Sequence, residues 1–377
     1  MKSILFFIES LDGGGAEGAT QNIVENLDKS KFDIYVVSET DNEMRTETIR
    51  QNSHYHCFAK KNLYGSKIKE LKNQLIYKFS ASASPALVRK TLIGGKYDIE
   101  VACCEGYATR LIGNSTDINS KKIAWIHTDF LNNHWSKDVY PGGEDEEKKT
   151  YEKYDAIVCV SETIKTSFIQ KYGMEEKIHL IHNIVDDQKI RNLGAESFNI
   201  KVKRPFFVMA GSFLKVKGYD RAVRVFARLR DLGYDFHVMI MGIGYERSDI
   251  EKIIDKTNMN KYIELSEYQK NPYKYFANAD AFICSSYAEG YSTTVTEAII
   301  LGTPVITTEC SGMKEIFGDK RCGIICENSE DGLFESIKDI LDNPEKLVEF
   351  RNQAALRKNN FKKESLIKEI ENFFETI

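Results

Sequence analysis

A chain of 377 residues exceeds one ordinary domain, and 42% hydrophobic residues supply enough apolar surface for two cores. The formal net charge of −4, from 52 Lys and Arg against 56 Asp and Glu, gives no electrostatic reason to expect a nucleic-acid partner. Six prolines and no low-complexity tract argue against long disordered linkers, and no apolar run approaches the roughly 18 residues that a membrane span needs.

The N-terminal MKSILFFIES places one lysine before a short apolar run that meets Glu9. It lacks the longer apolar core and small-residue cleavage site of a signal peptide, so it reads as a first strand. Gly13, Gly15 and Gly18 follow in the spacing of a dinucleotide-binding loop, ahead of the helical segment GATQNIVENL. Glu39, at the end of the next apolar run FDIYVVSE, stands where the ribose-binding acid of an NAD enzyme would be. Against NAD, the residues ESLD separate Ile8 from Gly13, a longer loop than the tight turn of that motif. Glu39 also reads as a solvated strand-end acid. What the pattern supports is a glycine-rich strand-to-helix loop whose amides can face an anion, or else a plain turn.

Strand-like runs DIEVACC, KKIAWIH, DAIVCVS and KIHLIHN follow, with helical or loop material between them. A polar stretch at 184–205 interrupts the pattern, which restarts with FFVMAGS, the helix YDRAVRVFARLRDLG, FHVMIMG, YIELSE, DAFICSS and PVITTE. Short apolar runs alternating with amphipathic helices predict parallel sheets covered on both faces, twice in tandem. The expected domains are 1–187 and 188–357, with 358–377 a C-terminal helix packing back toward the first. Leu366, Ile370, Phe373 and Phe374 share one face of that helix and need a partner surface. The eight cysteines form no disulfide or zinc framework; Cys103, Cys104, Cys159 and Cys284 read as small buried hydrophobes, which fits a cytoplasmic protein with reduced thiols.

Residues 285–316, SSYAEGYSTTVTEAIILGTPVITTECSGMKEI, carry the sharpest signal. Glu289 sits past the C-terminal end of a predicted strand, where open α/β sheets bind ligands, and a helix starts near Thr293 or Thr294. The unsatisfied amides from Ser292 to Thr296 suit a diphosphate. Glu297 follows Glu289 after seven residues, and also reads as the partner of Thr294 in a capping box.

This acid, seven residues, acid signature resembles that of the retaining glycosyltransferases of family 4. The same order of motifs runs through nearly the whole chain: GGAE, AWIHTD, DAIVCVSE, IHNIVD, the KG at 217–218, MGIGYE and NPYKYFANADAFICSS. The resemblance implies an α/β chain of GT-B architecture: two Rossmann-like, doubly wound parallel-sheet domains facing across a cleft, with a nucleotide-sugar held mostly by the second. It implies that Glu289 accepts hydrogen bonds from donor-sugar hydroxyls and Glu297 from ribose hydroxyls. Gly290, Tyr291, Ser292, Thr293 and Thr294 would cradle sugar and phosphate, with Gly211, Ser212 and Gly242 lining the donor site. Lys217 would neutralise the diphosphate, and Gly13, Gly14 and Gly15 would close over it. His127 would face sugar and acceptor, with Asp129 beside it on the acceptor side.

Two departures stand out. Ser212 occupies a position where the family usually has a second diphosphate-binding arginine, for which Lys215 or Arg247 are the candidate substitutes. Gly18 stands where an arginine often follows GGAE.

The implied activity is transfer of a hexose, from a UDP-sugar in preference to a GDP-sugar, to a saccharide or lipid-linked saccharide with retention. The implied setting is capsule, lipopolysaccharide or other bacterial surface-polysaccharide synthesis. No cofactor and no metal are expected, since no Asp-x-Asp motif occurs. Residues 60–79, with six lysines and one glutamate, read either as a core-facing helix with a solvated basic face or as a surface resting on the anionic inner leaflet. The alternatives are a UDP-sugar epimerase of the same fold, a dehydrogenase, or a non-catalytic relative acting as a partner subunit.

Overall fold

The computed structural model describes residues 1–11, 14–41, 45–60, 67–198, 201–267 and 269–377. They divide into two compact units, Met1–Ile184 with Glu364–Ile377, and Val185–Lys363. Gly13 and residues 61–66 of the basic stretch lie outside the described residues.

The first unit holds seven strands: β1 (Lys2–Ile8), β2 (Phe32–Asp41), β3 (His54–Lys60), β4 (Ile99–Ala102), β5 (Lys121–Ile126), β6 (Ala156–Cys159) and β7 (Ile178–Leu180). Their order is β3-β2-β1-β4-β5-β6-β7, with every pairing parallel. The second holds β8 (Phe206–Ala210), β9 (His237–Met241), β10 (Ile263–Ser266), β11 (Ala281–Cys284), β12 (Val305–Thr308) and β13 (Gly323–Cys326), in the order β10-β9-β8-β11-β12-β13, again all parallel. Sheets covered on both faces need strands that are apolar throughout, and Ile4–Ile8 of β1 and all four residues of β11 are buried.

The sequence reading missed β3 and β13. Both are edge strands. In β3, His54 and His56 point to solvent and alternate with half-buried residues, so no apolar run marks it. β13 is four residues long and begins with a glycine.

Helix Lys363–Thr376 packs on the first sheet. The Phe374 ring meets Phe6 and Phe32 edge-on at 6.0 and 6.1 Å, and Lys2 Nζ donates to its carbonyl oxygen at 2.9 Å. The apolar stripe Ile370, Phe373 and Phe374 is buried there.

Candidate active site

In each sheet the strand order reverses at one point, between β1 and β4 in the first unit and between β8 and β11 in the second. Loops leaving adjacent strands at such a switch point diverge to opposite faces and open a crevice beyond the strands' C-terminal ends.

In the second unit those loops carry Lys217 and Glu289. Lys217 Nζ lies 2.7 Å from Glu289 Oε1, with the carboxylate almost fully buried and the ammonium about a quarter exposed. Ser286 Oγ donates to the same oxygen at 2.5 Å. Burial alone would lower the Lys217 pKa, but the charge and hydrogen bond of Glu289 outweigh it, and the net shift is upward from 10.5. The ammonium therefore stays charged at neutral pH.

Two glycines let these loops approach. Gly218 has φ +64, and a Cβ there would overlap the Ser285 carbonyl oxygen. Ser285 Oγ in turn donates to the Lys217 carbonyl at 2.9 Å, and the Tyr287 amide to that of Val216 at 2.7 Å. At Gly242 a Cβ would overlap the Gly211 carbonyl oxygen, so Gly211, Ser212 and Gly242 belong to two loops in direct backbone contact after β8 and β9. Against the loop after β11 lies Arg221, only 2% exposed. Its guanidinium donates to the carbonyls of Ser285 (2.7 Å) and Ser286 and to Asn328 Oδ1 (2.8 Å), and it stacks on the Tyr287 ring at 4.1 Å. It ties together the loop that presents Glu289. Sequence reasoning passed over Arg221, whose one signal was an arginine on the apolar stripe of the helix Tyr219–Asp231.

Helix Thr293–Ile300 begins at Ser292, whose Oγ accepts from the Val295 amide at 3.4 Å. Thr294 is thus the second helical residue rather than the cap, and the capping box with Glu297 does not form. Glu297 instead receives the Tyr273 hydroxyl at 3.4 Å. Gly290 and Tyr291 pack under the loop after β12, where a Cβ on Gly312 would stand 2.7 Å from the Gly290 carbonyl oxygen. Of the candidate stand-ins for an arginine at Ser212, Lys215 is paired with Asp220 at 2.7 Å and Arg247 with Glu251 at 2.9 Å.

In the first unit, Gly14 caps the helix Gly15–Asn26 without a side-chain bond, and the Glu17 carboxylate folds back over it. Arg45 lies against Gly18, with Nη2 3.3 Å from where a Cβ would stand. An arginine from the turn before the next helix thus occupies the space beside Gly18.

Glu9 and Glu105, both missed in the sequence, stand at the ends of β1 and β4. An acid directly after an apolar strand run was the available signal. Burial raises each from 4.5 to about 7, with neighbouring acids adding to the effect at Glu9. Glu9 Oε1 accepts the Tyr107 and Ala108 amides at 2.8 and 3.2 Å, and Glu105 accepts those of His127 and Thr128. Burial lowers His127 to about 4, so its ring is neutral at pH 7. Its Nε2 lies 3.2 Å from the Cys103 carbonyl and must carry the proton. The ring lines a cavity for about one water with Thr20, Cys103 and Trp125. Asp129 is buried, and its carboxylate accepts the Leu131 amide at 3.0 Å and the Asn132 side-chain amide at 2.8 Å, so it shapes its own loop.

Among the described residues no three His, Cys, Asp or Glu side chains are arranged to hold a metal ion, and no helix is long and apolar enough to cross a membrane.

Two Rossmann-like units in tandem, each with one strand-order reversal, define a protein of the GT-B class. Residues 13–189 match the model of glycosyltransferase family 4, and residues 190–357 that of glycosyl transferases group 1. The chain belongs to this glycosyltransferase family. It is 27% identical over 217 residues to the N-acetylgalactosamine-N,N'-diacetylbacillosaminyl-diphospho-undecaprenol 4-alpha-N-acetylgalactosaminyltransferase of Campylobacter jejuni, a match that takes in 56% of this chain and 58% of that one. The chain thus spans little more than half the length of that curated relative. An uncharacterized glycosyltransferase of Haemophilus influenzae is 22% identical over 98% of this chain and 99% of its own length. In fold, HepE of Anabaena, in complex with UDP and glucose, aligns over 100% of both chains with a TM-score of 0.76 at 16% identity.

Proposed function

We propose that this protein transfers a hexose from a nucleotide-sugar, UDP-linked in preference to GDP-linked, to a saccharide or lipid-linked saccharide with retention of configuration. The setting is synthesis of a bacterial surface polysaccharide at the cytoplasmic face of the inner membrane. The observation that carries the reading is the Lys217–Glu289 pair at the switch point of the second sheet, in loops that also lead to the open helix start at Ser292. Family membership and the relatives named above support it.

In this reading the bond from the anomeric carbon to the diphosphate oxygen breaks, leaving an oxocarbenium-like sugar. The acceptor hydroxyl oxygen bonds to that carbon on the face the leaving group vacates, and its proton passes to the departing phosphate oxygen. The Lys217 ammonium and the first helical amides, of Thr293 and Thr294, offset the new negative charge, while those of Val295 and Thr296 are taken up by the Ser292 cap. Glu289 orients the donor sugar through its hydroxyls and Glu297 the ribose. Neither glutamate forms a covalent bond. Charge neutralisation by lysine and amides leaves no step for a metal, so turnover persists in EDTA.

Acceptor recognition falls to the first unit. There Leu71 and Leu75 on helix Lys67–Ser82 are 58% and 59% exposed, so the described part of this helix does not turn those leucines into a core. Exposed Lys72 and Lys78 flank them, and an anionic lipid surface fits both the leucines and the lysines.

The test is release of nucleoside diphosphate from a panel of UDP- and GDP-sugars, with and without a lipid-saccharide extract, for wild type and Glu289→Ala. Release from one donor, stimulated by acceptor and lost in the variant, is expected. No release from any donor overturns the reading.

A further inference from the structure

The chain has two tryptophans. Trp125 in β5 is buried at 3% exposure; Trp135, in the loop that follows the same strand, is 42% exposed. That loop stands at the C-terminal edge of the first sheet, beside the loop leaving the neighbouring β4. Trp135 rests on the second loop: a Cβ at Gly106, which has φ +81, would stand 2.9 Å from the indole ring. The indole nitrogen donates to Thr128 Oγ1 at 3.1 Å, which fixes the ring's orientation.

The loop around the ring is clamped. Leu131's amide donates to Ser167 Oγ at 3.1 Å as well as to Asp129. On either side of Trp135, His134 and Ser136 both bind the buried carboxylate of Glu147, at 2.7 and 2.6 Å, and Tyr172 donates to it at 2.9 Å. A buried three-way anchor thus holds both chain neighbours of a tryptophan whose own ring faces solvent. A core tryptophan would be covered, and a surface tryptophan without a role would not need this scaffold.

We propose that Trp135 is a stacking platform for a pyranose ring of the acceptor saccharide, an inference that rests on the transferase reading above. A pyranose has a face of C–H groups and a rim of hydroxyls. The indole supplies a flat apolar surface for the first, fixed before binding so that little side-chain entropy is lost. Exposed Asn132, Lys137 and Asp138 supply polar groups near the second. A lipid tail or a protein core would call for a wider apolar patch; on this loop only Leu131 joins the tryptophan as an exposed large hydrophobic residue.

The experiment uses Trp125→Phe, in which Trp135 is the single tryptophan, titrated with methyl glycosides of glucose, galactose, N-acetylglucosamine and N-acetylgalactosamine. At least one glycoside should shift the emission saturably. In wild type the same glycoside should protect the exposed indole from iodide quenching, a reading that does not depend on the variant's folding. With the lipid-saccharide acceptor, Trp135→Ala should raise acceptor KM by about tenfold or more with kcat changed far less, and Trp135→Phe should recover most of the loss. No spectral response to any glycoside, or a shift with anionic phospholipid vesicles alone, overturns the platform. If the wild type consumes no nucleotide-sugar at all, the transferase reading fails, while the titration still decides whether Trp135 binds a sugar.

Discussion

Lys217 Nζ and Glu289 Oε1 stand 2.7 Å apart, joining the loops that leave β8 and β11 where the second sheet reverses its strand order. The pair holds a cation at the place proposed for the diphosphate and sets the Glu289 carboxylate beside it, where donor-sugar hydroxyls would bind. Lys217→Met should lower kcat by about 100-fold or more, the scale seen when one stabilising group is removed from a developing anion. Because the lysine's pKa is raised in the folded protein, its stabilising contribution is complete below the unfolded value near 10.5 and is lost as pH rises through the folded one. Wild-type stability should therefore show a loss on the alkaline side of 10.5 that Lys217→Met lacks, measured by denaturant titration at pH 9 to 11.

Gly218 tests whether loop approach, rather than composition, builds this pair. Gly218→Ala meets both a left-handed φ of +64 and the Ser285 carbonyl, whereas Gly302→Ala meets only a φ of +78 in open space. The second should cost about 1 kcal/mol. The first should cost more and also reduce turnover by displacing Lys217. Equal losses in thermal stability and unchanged turnover in both variants would contradict this account.

Arg221 is buried among carbonyls, an amide and a hydroxyl that only a planar fork can reach together. Arg221→Lys keeps the charge and loses the fork. It should destabilise the protein by about 2–4 kcal/mol and weaken donor binding, read by isothermal titration with UDP. A variant as stable as wild type would show that the geometry carries no energy.

The tandem sheets were legible because each interior strand is a continuous apolar run, and the two strands that escaped, β3 and β13, are edges with solvent on one side. At the site, Glu289 and Lys217 could be read because each lies in a short local pattern. Arg221, Glu9 and Glu105 could not, since their chemistry comes from burial and from partners distant in the chain. Asp129 and Thr294 mark the opposite case. Their residue types suited a ligand or a cap, but Asp129's carboxylate is engaged within its own loop, and the cap, Ser292, lies two residues before Thr294.

The carboxylates at the edge of the first sheet make the last prediction. Glu105, raised from 4.5 to about 7 by burial, holds more proton in the folded than in the unfolded state between those values, so its contribution to stability falls as pH rises from 4.5 to 7. The size is up to about 3 kcal/mol. His127, lowered from 6.5 to about 4, acts in the opposite sense between pH 4 and 6.5, so the wild-type profile alone would hide both. The difference between wild type and Glu105→Gln isolates the acid. Gln keeps an oxygen to accept the His127 and Thr128 amides but has no proton to lose. Relative to wild type, Glu105→Gln should gain stability steadily as pH rises from 5 to 7 and no further above 8, in urea denaturation followed by circular dichroism. A difference independent of pH would mean that Glu105 is ionised throughout, and that the two amides together with solvent stabilise its charge more than burial opposes it.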